Sequence, residues 1–112
     1  MTPDEFRAWA LELPEAAEQE HQGHPDFRVR KKIFATLGPD ETWAMVKIPP
    51  EMQESLVEAK PASFEPIPGA WGKRGCTRVT LAKAPKRLVR EALIEAWRNT
   101  APKKLVAEFD GE

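Results

Sequence analysis

The sequence predicts an α+β two-layer sandwich, in which an antiparallel sheet carries its helices on one face. Two observations predict this class: the order of the elements and the antiparallel meander formed by the first three strands. The apolar patterns follow the order helix, three strands, helix, two strands, helix, and strands in a meander with helices gathered on one side are typical of this architecture. A chain of 112 residues has the length of one domain. With no internal repeat and no linker, we predict a single domain over residues 1–112.

Composition excludes several classes of protein. Hydrophobic residues make up 41% and charged residues 31% of the chain, and the net charge is −1, as in ordinary globular proteins. No apolar stretch approaches the roughly 18 residues of a membrane span, and the acidic start is unlike a secretory signal. The single cysteine, Cys76, excludes an internal disulfide. We therefore expect a cytoplasmic protein with no membrane partner.

The first helix is predicted from its cap and its apolar stripe. Thr2 can cap the helix, Pro3 suits its first position, and Glu5 completes a capping box. The stripe consists of Phe6, Trp9, Ala10 and Leu13. Pro14 ends the helix, and the polar residues 15–21 are interpreted as an edge strand.

The next segment predicts two strands and a helix. After a turn at 21–26, residues 27–36 are rich in β-branched and aromatic residues and are interpreted as one strand. By alternation, Phe27, Val29 and Ile33 lie on one face, and Arg28, Arg30 and Lys32 on the other. A strand at 42–48 follows, and Pro49–Pro50 begins a helix that ends before Pro61. Its predicted inner face is Met52, Leu56 and Val57.

The last third predicts two strands and two helices. Proline and glycine limit 61–75 to a short edge strand at 64–67. Residues 76–82 are interpreted as a strand, and Pro85 begins the best-defined helix of the chain. Its predicted buried stripe is Leu88, Val89, Ala92, Leu93, Ala96 and Trp97. Thr100 is the expected cap of a short terminal helix.

Several segments together resemble the MmcQ/YjbR family. They are HPDFRVRKKIFATL, WAMVKIPP and GAWGKRGCTRVTLA, preceded by the acidic helix ALELPEAAEQ. The resemblance covers nearly the whole chain, in order. It implies a small bacterial cytoplasmic protein, with a fold similar to the frataxin-like and secretion-chaperone-like sandwiches, and DNA binding through a double-wing motif.

Basic side chains concentrate in two segments. Arg28, Arg30 and Lys32 would project from one strand face about 7 Å apart, near the spacing of successive phosphates. Residues 73–90 hold seven bases and no acid, whereas 1–24 hold six acids and one base. This asymmetry indicates a bipolar surface. The alternative is that these runs are solvated faces that only keep the protein soluble.

The second basic segment combines cations with an aromatic residue. Trp71 accompanies Lys73 and Arg74 in a loop that could stack on a base or enter a groove, and Arg78 follows on the next strand. The alternative is that Trp71 folds under as a lid. Four further cations at the start of the long helix are expected to extend the patch: Lys83, Lys86, Arg87 and Arg90.

Catalytic and metal-binding patterns are weak. His21 and His24 have the spacing of two metal ligands, but Gly23 and Pro25 give a structural reason for a turn at this point, which is the interpretation we favour. Cys76 begins an apolar strand, which favours a buried packing role over a nucleophile. GAWGKRG lacks the lysine–hydroxyl ending of a phosphate loop. We therefore predict no enzyme activity, no cofactor and no metal.

These observations favour a non-enzymatic DNA-binding protein. Binding would be weak and would depend on phosphate contacts made by basic hairpins. The predicted site residues are Arg28, Arg30, Lys32, Trp71, Lys73, Arg74 and Arg78. The alternative is a protein-interaction or small-ligand-binding module, in which the open sheet face binds a partner and nucleic acid has no role.

Overall fold

A computed structural model describes residues 1–111, which form an antiparallel sheet with helices on one face. Along the chain the elements are α1 (Pro3–Glu12), β1 (Ala16–His21), β2 (His24–Val29), β3 (Lys32–Leu37), β4 (Trp43–Lys47), α2 (Pro50–Ala59), β5 (Phe64–Pro66), α3 (Ala70–Lys73), β6 (Cys76–Thr80), α4 (Lys86–Thr100) and α5 (Lys103–Phe109). The strands lie in the order β1-β2-β3-β4-β6-β5. The predicted α+β class is confirmed.

The prediction of one strand over 27–36 is wrong, because a hairpin turn divides that segment. Val29 pairs with Lys32 across a two-residue turn, in which Arg30 and Lys31 have φ angles of 50° and 71°. Two successive positive φ angles belong to the type I′ turn, whose twist matches that of the flanking strands. The meander therefore has one more strand than expected, and the turn bears two cations.

A β-bulge changes which side chains of β3 face the helices. The register between β2 and β3 shifts at Phe27/Arg28, so that Arg28 pairs with Ile33 and Phe27 with Ala35. The extra residue, Phe34, is fully buried in the core, while Ile33 joins Arg28 on the open face. The predicted grouping of Ile33 with Phe27 is therefore wrong.

The helices bury the core against one face of the sheet. Thr2 and Glu5 form the predicted capping box of α1, and Phe6 meets Phe27 of β2 edge to face, with ring centroids 6.0 Å apart. The long helix α4 lies against β3 and β4. Its stripe ends at Trp97, which is 0% exposed and donates its Nε1–H to the Pro14 carbonyl at 3.0 Å.

Two local predictions in the second half of the chain are wrong. Residues 70–73, expected to be loop, form the single helical turn α3. Thr100 is the last residue of α4 rather than the cap of α5, whose N-cap is Pro102. Pro102 suits the junction between the two helices, because proline cannot continue α4 and its φ angle is the one that begins a helix. Within residues 1–111, no helix has the length and apolar character needed to span a bilayer.

Candidate functional site on the open face of the sheet

The face of the sheet turned away from the long helices carries a cleft of about 720 Å³. Its lining consists of His21, Gln22, His24, Arg28, Lys31, Lys32, Ile33, Thr36, Trp43, Met45, Lys47, Ile67, Trp71 and Cys76. This set holds four cations and, within the described part of the chain, no carboxylate. The cleft is therefore a positively charged, partly apolar concavity, a combination that attracts anions with a planar apolar part.

Alternation along β4 forms the floor of the cleft. Ala44 and Val46 are fully buried in the core, so Trp43, Met45 and Lys47 project to the opposite face. Antiparallel pairing with β6 then places Cys76 beside Lys47. The floor consequently combines an aromatic ring, a thioether and an amine in one row.

Glycine and arginine fix the position of Trp43. A Cβ at residue 38 would lie only 2.4 Å from Trp43 Cε2, so the indole can rest on this backbone only because Gly38 has no side chain. The Arg78 guanidinium lies over the indole, 4.3 Å from its centroid, a cation–π contact. The Trp43 ring is thus held between the backbone of Gly38 and the guanidinium of Arg78.

The second tryptophan of the cleft stands on α3. Trp71 is 58% exposed, and the Arg74 guanidinium lies 5.4 Å from its ring centroid. The expectation that Trp71 folds under as a lid is therefore not the arrangement observed. An exposed indole on a helical turn presents an apolar ring face to water. This exposure is unfavourable, and a ligand that covers the ring removes the unfavourable contact with water.

Close backbone contacts anchor the turn that carries Trp71. Cβ atoms at Gly72 and Gly75 would lie 1.8 Å from the carbonyl oxygens of Ile67 and Ile48, so only glycine fits at either position. The buried Gln53 amide of α2 donates to the Gly72 carbonyl at 3.0 Å and to the Cys76 carbonyl at 3.2 Å. The glycines of GAWGKRG therefore fix a wall of the cleft.

A buried aspartate organises one end of the cleft. Asp26 is 0% exposed and accepts two hydrogen bonds from Arg28, at 2.8 and 3.0 Å. His21 Nδ1 donates to its Oδ2 at 2.6 Å. The Arg28 hydrogen bonds and the weaker effect of the single His21 hydrogen bond lower the pKa of Asp26 despite its burial. Asp26 is thus ionised at neutral pH and neutralises the charge of Arg28.

The predicted row of Arg28, Arg30 and Lys32 on one strand face does not exist, because these residues lie on two strands and the turn between them. Arg28 lines the cleft but is paired with Asp26. Arg30 is paired with Glu15, its Nη2 donating at 2.9 Å, and is not part of the lining. Lys32 is exposed at the cleft and has no ion-pair partner among residues 1–111.

The remaining predicted residues lie close to the cleft. Lys73 and Arg74 are exposed at the end of α3, directly after Trp71. Arg78 projects from β6 on the same face and covers Trp43, with its Nε 3.8 Å from Glu65. The structure thus places Lys32, Trp71 and Arg78 on one face of the sheet. Their neighbours there include cleft residues that the sequence did not predict at a site.

Three of the four cations that were expected to extend this patch, all in the first turns of α4, do not do so. Lys86 is bound by Glu5 at 2.8 Å, and Arg90 lies 3.6 Å from Glu12. Arg87 is paired with Glu91 within the helix. The acidic helix α1 therefore neutralises the start of α4, on the face of the molecule opposite to the cleft.

Several cleft residues were not expected at a site from the sequence, and four of them bring an amine, an indole or a thioether to the cleft. They are Lys31, Trp43, Met45 and Lys47. The last three carry a readable signal, because they alternate with Ala44 and Val46 in a strand whose small and branched residues belong to a core. Lys31 carried no signal, since its place depends on the unexpected turn.

Other side chains bear on catalysis or metal binding. Cys76 is buried, as predicted, and burial raises the pKa of its thiol, which disfavours the reactive thiolate. Within residues 1–111, no group of three or more histidine, cysteine, aspartate or glutamate side chains is placed to hold a metal ion.

Together, a six-stranded sheet, helices on one face and a cationic cleft on the other define a small α+β protein with a ligand-accessible sheet. The family model described as YjbR matches residues 11–99, and the chain belongs to the YjbR family. A similar solved structure is the crystal structure of Deinococcus radiodurans protein DR2400, described with the domain DUF419. It has a TM-score of 0.73 and 27% identity, over 86% of this chain and 75% of the other. No curated protein gives a significant match.

Proposed function

We propose that this protein binds DNA in the cleft on the open face of the sheet and prefers single strands to duplex. The observation that carries the proposal is the cleft lining, in which cations surround two tryptophans and no carboxylate is present among the described residues. Phosphate attracts the cations, and an aromatic ring stacks on any base. The resemblance to the MmcQ/YjbR family, which implies DNA binding, supports the same proposal.

The cations available to phosphate are those without a carboxylate partner. Arg28 is committed to Asp26 and Arg30 to Glu15. The cleft lysines Lys31, Lys32 and Lys47 remain for the backbone of a bound strand. Three lysines provide a modest electrostatic attraction, so we expect a dissociation constant of about 10⁻⁴–10⁻⁶ M at physiological salt and little dependence on base sequence.

The preference for single strands follows from the exposed tryptophan. Trp71 offers a ring face beside the cationic cleft, and a base can cover that face only when it is not stacked inside a duplex. Base–aromatic stacking is worth about 1–3 kcal/mol per base. A duplex would meet the same lysines but would gain nothing from Trp71.

The experiment is an anisotropy titration of a labelled oligothymidylate and a labelled duplex, each at low salt. We expect Trp71→Ala to weaken single-strand binding by roughly 5- to 150-fold, the equivalent of one lost stack, and to leave duplex binding unchanged. Trp71→Phe should restore most of the affinity. Phe109→Ala is the matched control, because Phe109 is also exposed but lies outside the cleft.

Two results would contradict the proposal: no binding of either DNA at low salt, or equal single-strand binding by the parent and Trp71→Ala. A titration with RNA of the same length tests which sugar is preferred. The cleft volume also lies within the roughly 300–1,000 Å³ of small-molecule pockets. If DNA fails, competition by mononucleotides and other aromatic anions would test the alternative of a small-ligand module.

A further inference from the structure

The last residue pair of the β1–β2 hairpin consists of two histidines. His21 pairs with His24 across the two-residue turn Gln22–Gly23, whose φ angles are 50° and 81°. The imidazole centroids are 4.5 Å apart, and both rings line the cleft. A register pair next to a tight turn is held by the backbone, so the two rings are kept together without a ligand.

Each ring uses the same nitrogen to bind the protein. His21 Nδ1 lies 2.6 Å from the Asp26 carboxylate, and His24 Nδ1 lies 3.0 Å from the Leu37 carbonyl. Both partners are acceptors only, so the neutral form of each ring has its proton on Nδ1 and a lone pair on Nε2. Among residues 1–111, neither Nε2 has a hydrogen-bond partner.

This arrangement has the chemistry of a metal-binding histidine pair. Histidines that bind metals almost always donate the other ring N–H to a carboxylate or a backbone carbonyl, which fixes the ring and raises its basicity. Here His21 has a carboxylate as its partner, and His24 has a backbone carbonyl. Zn–N bonds are about 2.0–2.1 Å, so two nitrogens of one ion lie at most about 4 Å apart, a separation compatible with rings at 4.5 Å.

We propose that His21 and His24 bind one divalent transition-metal ion through their Nε2 atoms, with Asp26 and the Leu37 carbonyl as positioning groups. Imidazole is a ligand for Zn²⁺, Cu²⁺ and Ni²⁺. The positions not taken by histidine are left to water. This site is independent of the DNA proposal, although it lies at one end of the same cleft.

The charges around the pair limit the affinity without preventing binding. The charge of Arg28 is balanced by Asp26. Lys31 and Lys32 line the same cleft but are exposed, and solvated charges are screened over about 8–10 Å at physiological salt. The same lysines favour an anion as an additional ligand of the bound ion.

The test is a calorimetric titration of the full chain with ZnCl₂, without DNA, combined with NMR of the histidine side chains. We expect one ion per chain and perturbed resonances for both imidazoles. His21→Gln and His24→Gln should each weaken binding at least about tenfold, while the glutamine amide keeps a donor for Asp26 or Leu37. Gln22→Asn, between the two histidines, is the matched control and should retain the parent affinity.

Circular dichroism of each variant separates loss of a ligand from loss of the fold. The proposal is overturned if the parent shows no saturable binding, or if either histidine variant binds as tightly as the parent. It is also overturned if Gln22→Asn weakens binding as much as the histidine variants do. None of these outcomes changes the expected DNA binding, which is measured without metal.

Discussion

Trp97 and Trp71 carry the same side chain, but one is fully buried and the other is 58% exposed. The helical spacing of Leu93, Ala96 and Trp97 predicted the burial of Trp97, and the structure confirms it. No apolar stripe of this kind includes Trp71. The position of its ring depends instead on the close contacts of Gly72 and Gly75 with the backbone of Ile67 and Ile48. Periodicity therefore identified the core tryptophan but could not decide between a lid and an exposed ring.

We predict that Trp97→Ala lowers the free energy of unfolding by about 3–5 kcal/mol, the usual result of removing a buried aromatic side chain. The variant also leaves the Pro14 carbonyl without its donor. Urea denaturation followed by circular dichroism measures this loss. Trp71→Ala is the control and should unfold close to the parent, and an unchanged midpoint for Trp97→Ala would show that the core is wrongly described.

At the scale of elements, the sequence predicted most helices and strands but missed the hairpin within 27–36. Type I′ turns usually contain Asn or Gly, which tolerate positive φ, whereas this turn is formed by Arg30 and Lys31. The bulge at Phe34 is hidden for a similar reason, since it depends on pairing with β2. The turn and the bulge determine which cations of β2 and β3 reach the cleft. The prediction of a basic row at Arg28, Arg30 and Lys32 is wrong because pairing between strands overrides the local alternation of the sequence.

The single turn α3 supports a prediction about glycine. Gly72→Ala would place a Cβ 1.8 Å from the Ile67 carbonyl oxygen, so we expect α3 to move and the hydrogen bond from Gln53 to the Gly72 carbonyl to weaken. We expect a loss of stability of about 1–3 kcal/mol together with weaker single-strand binding. Thermal unfolding and the anisotropy titration measure the two effects.

Gly69→Ala is the comparison for that prediction. A Cβ at Gly69 meets no atom within 4 Å, although its φ is 85°. With a ψ of −156°, this backbone lies in a region that only glycine readily occupies, so the variant carries a strain of about 1–3 kcal/mol but should retain the position of Trp71. Equal DNA binding by Gly72→Ala and the parent would show that α3 does not fix the tryptophan.

At the scale of the whole molecule, the two faces of the sheet differ in charge although the net charge is only −1. Glu5 and Glu12 of α1 pair with Lys86 and Arg90 of α4, which neutralises the helical face. The lining of the opposite cleft has four cations and, in residues 1–111, no acid. The acidic and basic segments that predicted a bipolar surface therefore pair with each other. The positive face is present, but its cations come from β2, β3, β4 and the β2–β3 turn.

The most direct test of the DNA proposal is the salt dependence of single-strand binding. Each phosphate contact contributes about −0.7 to the slope of log K against log [salt] for single strands. Replacing Lys31, Lys32 and Lys47 together by alanine should therefore flatten the slope by about two units. The control is alanine at Lys60, Lys103 and Lys104, which are exposed and lie outside the cleft. An unchanged control slope with a flattened cleft variant is the predicted result; equal slopes for the cleft variant and the parent would contradict DNA binding in this cleft.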